Sequence, residues 1–163
     1  SASIEWRWAR DHLGAESEYR TIAFKSLKAL NWGDNHFLMS LNGGSLRAGQ
    51  LPIQESFTLG GFWRLSGLAE DEMVGNHYAL GKLIYFNNLT GPLARSAGYP
   101  VYAGLSLESG GVWQDKQAIS ERDLVTSGSL FIATDIFLGP MYFAYGYTEG
   151  GRSAVHFYLG QKF

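Results

Sequence analysis

Apolar and polar side chains alternate with period two along most of this chain, and turn residues interrupt the alternation at short intervals. SIEWRWAR sets Ile4, Trp6 and Trp8 on one face, with Glu5, Arg7 and Arg10 on the other. After a turn at HLGAESE, EYRTIAFKSLKAL places Ile22 and Phe24 opposite Tyr19, Thr21, Ala23 and Lys25. NWGDN turns the chain again, and HFLMSLN reads as a third, shorter strand. From Gly43 to about Leu68 the periodicity is lost; this is the longest irregular segment, and part of it has room for helix. Alternation returns at HYALGKLIYFNNL and, beyond TGPLARSAG, at YPVYAGLSLES. A polar loop, GGVWQDKQAISERD, leads into LVTSGSLFIATDIFLG. The closing MYFAYGYTEGGRSAVHFYLGQKF reads as a hairpin turned by Glu149-Gly150-Gly151. The pattern predicts an all-β chain of about eight antiparallel strands.

Composition narrows this picture. A length of 163 residues suits one domain, here residues 1–163. Aromatic residues make up 15%, and 21 glycines stand against four prolines, a balance that favours sheet over helix bundle. A formal charge of -2 argues against a general nucleic-acid binder. Without cysteine there is no disulfide framework and no thiolate metal site. No apolar run approaches the roughly 20 residues of a membrane-spanning helix. SASIEWRW, with Glu5 and no apolar stretch, predicts no signal peptide.

Charges recur in mid-strand: Glu5, Arg7, Lys25, Lys28, Lys82, Glu108 and Asp135. A soluble sandwich would turn that face to water. A transmembrane barrel would turn it toward its lumen, with Trp6, Trp8, Trp32, Trp113, Tyr142 and Tyr147 as interfacial anchors. Alternation alone leaves both architectures open.

Two stretches weigh on that choice. Phe57 to Phe86, FTLGGFWRLSGLAEDEMVGNHYALGKLIYF, resembles the segment of the BamA/TamA bacterial surface antigen superfamily that carries the VRGF/VRGY motif. Leu59-Gly60-Gly61 matches the glycine-rich lead-in, and Leu65-Ser66-Gly67-Leu68 occupies the motif. Asp71, Glu72 and Gly75 follow, then the aromatic strand from His77. AGLSLESGGVW, Ala103 to Trp113, resembles the later family strand whose carboxylate pairs inside the lumen with the motif arginine; Glu108 holds that position. The motif arginine itself falls on Ser66, while Arg64 lies two residues earlier. A shift of two along an extended segment keeps the side-chain direction. Either Arg64 or Ser66 is therefore placed to reach Glu108.

The end of the chain is similar to the closing strand of outer-membrane barrels, through Val155, Phe157, Leu159, Gly160 and the terminal aromatic Phe163. The LSG form of the motif resembles the barrels of patatin-like, PlpD-type autotransporters. The resemblance implies an antiparallel transmembrane β-barrel in the bacterial outer membrane, with one long in-folded loop. It also implies lipid, the barrel-assembly machinery and a patatin-like passenger as partners, in type V secretion. Family barrels have sixteen strands, so about eight correspond to the C-terminal half. A small closed barrel or a homodimer completing sixteen strands are the other arrangements.

Candidate chemistry within the chain is sparse. His12, His36, His77 and His156 lie at strand ends or on the polar face, and no GxSxG elbow occurs. No catalytic residue, metal or cofactor is expected, and lipase activity would belong to an upstream domain. Glu70, Asp71 and Glu72 read as a solvated loop. Lys25, Lys28 and Lys82 read as charge balance for Glu108 and Asp135. The inverse designs are a soluble, lipocalin-like barrel holding an apolar ligand, and a small outer-membrane lipid hydrolase using a Ser/His pair.

Overall fold

The computed structural model describes residues 1–9, 19–49, 53–89 and 98–160, and leaves the side chains of Arg7, Trp8, Ala9 and Glu121 undescribed. Eight strands form one antiparallel sheet: β1 Ala2–Ala9, β2 Tyr19–Trp32, β3 Asn35–Gly49, β6 His77–Leu89, β7 Val101–Trp113, β8 Val125–Ile136, β9 Gly139–Thr148 and β10 Arg152–Leu159. Each pairs with its neighbours in that order, and no pairing joins β1 to β10 among the described residues. A small hairpin, β4 Phe57–Leu59 with β5 Met73–Gly75, brackets the segment between β3 and β6. No α-helix occurs among the described residues; single 3-10 turns lie at Ile53–Glu55, Lys116–Ala118 and Glu121–Asp123.

The third strand departs from expectation. Instead of ending near Asn42, β3 runs on through Gly43 and Gly44 to Gly49, making it the longest strand at 15 residues. A Cβ on Gly44 would lie 2.6 Å from ring atoms of both Phe57 and Tyr78. The glycine is the space that lets the β4 hairpin lean on the sheet. The segment expected as irregular thus splits into a strand and a compact in-folded loop.

Register assigns every strand residue to a face. On the outer face, apolar rows cross four strands: Leu105–Leu130–Tyr145–Val155 and Ala103–Ile132–Phe143–Phe157. Leu130, Val155 and Phe157 are each about two-thirds exposed. The inner face carries Lys82, Ser106, Glu108, Ser127, Ser129, Thr148 and His156, interleaved with Ile84, Phe131, Ala133 and Tyr142. The core lies there, between sheet and loop, built on Phe62, Trp63, Ile84, Phe131, Tyr142 and Ala144.

Three expectations about faces change. Trp113 and Tyr142 are buried rather than exposed anchors, whereas Trp6, Trp32 and Tyr147 are exposed. Lys28 pairs in register with the outward Met39, so it stands on the outer face and does not balance Glu108. Its four-carbon stem lets a charge at such a position reach the strand end. Arg10, His12 and Phe163 lie outside the described residues.

Candidate functional site

The hairpin loop from Leu59 to Leu68 holds most of the largest fully buried side chains among the described residues. Leu59, Phe62, Trp63, Leu65, Ser66 and Leu68 are all at most 3% exposed. The apolar members each contribute roughly 2 kcal/mol on burial. Gly60 and Gly61 turn the chain with φ of 127° and 95°. At Gly60 a Cβ would also lie 2.2 Å from the Ala69 carbonyl oxygen, so this bend needs glycine twice over. Trp63 and Leu65 adopt left-handed backbone, φ 61° and 79°, which is unfavourable for residues with side chains. Something must hold them there.

Glu108 does so. Its carboxylate is fully buried and accepts four hydrogen bonds. The backbone N–H groups of Leu65 and Ser66 donate to Oε2 at 3.1 and 2.6 Å. Ser66 Oγ donates to Oε1 at 2.8 Å, and Ser106 Oγ donates to the same oxygen. Two successive peptide N–H groups aimed at one oxygen make an anion-holding nest, and the left-handed residues are what aim them. Ser66 Oγ also accepts from the Trp63 N–H at 2.9 Å. Ser106 extends the polar network to Ser129, with the hydroxyls 2.6 Å apart.

Of the two residues placed to meet Glu108, Ser66 makes the contact and Arg64 does not. The Arg64 guanidinium donates to the Thr58 carbonyl and lies 3.7 Å from Asp71. Extended backbone would aim Arg64 at Glu108, but the left-handed turns at Trp63 and Leu65 on either side redirect it. On the sheet side, Lys82 stands opposite Glu108 in register, and its ammonium lies 6.0 Å from the Trp63 ring centroid.

The Ser66-Gly67 peptide rests on small residues. Row Ser106–Ser129–Gly146–Ala154 runs beneath it. A Cβ on Gly146 would stand 1.9 Å from the Ser66 carbonyl oxygen, and one on Gly67 would stand 2.2 Å from the Thr148 nitrogen. His156 Nε2 donates to that Ser66 carbonyl at 2.6 Å, so the last strand grips the loop directly. Val155, Phe157 and Leu159 project the other way, and Gly160 ends the strand with φ 114°.

The acidic run is not simply solvated. Glu72 pairs with Arg152 and accepts from the Ala69 N–H at 3.0 Å, Glu70 accepts from the Tyr158 hydroxyl, and Asp71 accepts from Thr58 Oγ1 at 2.6 Å. The Glu72–Arg152 and Glu70–Tyr158 contacts form a latch between loop and β10 that no short-range sequence signal announces. The Arg152 hydrogen bond and the Ala69 N–H hold the Glu72 carboxyl below its ordinary value of 4.5. A lowered carboxyl contributes stability that is complete above that ordinary value and is lost as pH falls through the lowered one. The thermal midpoint should therefore fall between pH 6 and pH 3 by less in Glu72→Gln than in the parent protein; equal falls would detach Glu72 from acid sensitivity.

One hydroxyl–imidazole pair outside the loop bears on hydrolase chemistry. Ser45 Oγ and His77 Nδ1 lie 2.9 Å apart across β3 and β6. No carboxylate is hydrogen-bonded to His77 among the described residues, so the third group that orients a catalytic base is missing. No group of three or more His, Asp or Glu residues suited to a metal occurs among the described residues. Compared with known proteins, the chain matches no family model and no curated protein sequence.

Proposed function

We propose that this chain is part of an outer-membrane β-barrel that anchors or translocates an attached passenger domain, as its resemblance to the surface antigen superfamily implies. One observation carries the reading: the sheet is inside out for a soluble protein. Its exposed face bears continuous apolar rows, while the loop-covered face holds a buried carboxylate, hydroxyls and a lysine. Contiguous exposed apolar surface on this scale calls for a covering, and lipid covers rows of outward residues on tilted strands. Strands of 8 to 15 residues compare with the ~9–11 that cross a bilayer at a tilt. A lipocalin-like barrel would show polar outward rows instead.

In this reading the loop braces the lumen through Glu108 and β10 completes the assembly signal. Refolded in detergent micelles, the chain should run on a gel as a compact species that shifts to slower or faster migration only after heating. A monodisperse, folded protein in detergent-free buffer would overturn the membrane assignment.

A further inference from the structure

Toward the end of the sheet that carries the Gly33-Asp34 and Phe137-Leu138 turns, a cavity of about 330 Å³ lies between the inner face and the loop. That volume is at the small end of the range for ligand sites. Trp63 forms part of its lining, with Phe86, Tyr102, Phe131, Tyr142, His36 and Asp135 around it. The rings are arranged as a box. Phe131 and Tyr142 stand edge-on to Trp63 with centroids 5.3 Å away, Tyr102 stands edge-on to Phe86 at 6.0 Å, and His36 stacks on Phe86 at 4.8 Å. Gly104 makes the box possible, since a Cβ there would lie 2.4 Å from Phe131 Cζ and 2.8 Å from Phe86 Cβ.

The charge in this box is negative. Asp135 shares the inner face of β8 with Phe131 and Ala133 and is exposed. Its carboxylate has no hydrogen bond or ion pair among the described residues. Lys82 also approaches Trp63, but it lines a separate cavity. Aromatic walls with one carboxylate that no cation among the described residues pairs with are the chemistry that holds an organic cation: ring faces attract the charge while tolerating its alkyl groups. We propose that this cavity binds an alkylammonium head, with Asp135 as its counter-charge.

Such a head comes either from a choline-type quaternary ammonium or from a lysine side chain of a polypeptide, and one titration separates them. The refolded chain in maltoside micelles is titrated with choline, with N-acetyl-lysine amide and with 3,3-dimethyl-1-butanol, the neutral isostere of choline, following ligand methyl or methylene protons by NMR. Ring currents in the box should move bound methyl signals upfield. At least one cation should bind tenfold or more tighter than the neutral isostere. Asp135→Asn should weaken that binding at least fivefold, while Asp115→Asn, at the other end of the sheet, should leave it unchanged. Preference for choline assigns the quaternary head, and preference for the lysine amide assigns a polypeptide. Equal binding of choline and its isostere, binding undiminished in Asp135→Asn, or no binding of either cation overturns the proposal. The isostere comparison uses the unaltered protein, so it stands even if a variant folds poorly.

Discussion

Glu108→Ala should unseat the in-folded loop and cost on the order of 4 kcal/mol. The substitution leaves the Leu65 and Ser66 N–H groups and the Ser66 and Ser106 hydroxyls without their shared acceptor. A buried polar group left unsatisfied costs about 1–3 kcal/mol, and partial relaxation keeps the total below the simple sum. The strain at Trp63 and Leu65 also loses its restraint. The measurement is the denaturant midpoint of the refolded protein, together with the rate of tryptic cleavage after Arg64, a bond held within the packed loop. Ser66→Ala should cost about 1 kcal/mol, since the two backbone donors remain. In a double-mutant cycle, Ser66→Ala and Glu108→Ala should be strongly non-additive, whereas Arg64→Ala and Glu108→Ala should add. Coupling between Arg64 and Glu108 of comparable size would contradict the geometry described above.

Gly146→Ala should destabilise the protein by about 3 kcal/mol, the upper end for overpacking. The added methyl would meet the backbone of Ser66, not the end of a flexible side chain, so relief requires moving the loop itself. That motion also breaks the bond from His156 Nε2 to the Ser66 carbonyl. Gly81→Ala is the control within the same sheet: the nearest atom to its added Cβ is the Ser109 carbonyl oxygen at 3.9 Å. It should change the unfolding midpoint little. Equal effects of the two would mean that sheet propensity, rather than loop seating, explains the loss.

The letters of the sequence carry the strands well and the loop poorly, for identifiable reasons. Period-two alternation marks β1, β2 and β6 to β10 because one face packs and the other does not. It fails at β3 because Gly43 and Gly44 have no side chains to alternate, although Gly44 is where the Phe57 and Tyr78 rings need space. Ser66 and Glu108 were both legible as members of the site through the resemblance. Which of Arg64 and Ser66 reaches the carboxylate was not, because side-chain direction follows strand parity only while the backbone stays extended. The acidic latch was illegible for a different reason: Arg152 and Tyr158 lie 80 and 88 residues from their partners Glu72 and Glu70. Charge runs look solvated when the groups that neutralise them are remote in the chain.

Those separations also bear on how fast the loop can be seated. His156 meets Ser66 across 90 residues, and Glu108 meets it across 42. Contacts this distant slow folding, because the entropy of closing the intervening chain is lost before the contact repays it. The loop takes part of its seat from β7, through Glu108, and the rest from β9 and β10, through Gly146 and His156. The carboxylate nest needs only β7, whereas the bond to the Ser66 carbonyl needs β10. The loop thus ties the middle of the sheet to its last hairpin: a chain lacking β9 and β10 would keep the Glu108 nest and lose the His156 bond and the bed under Gly67.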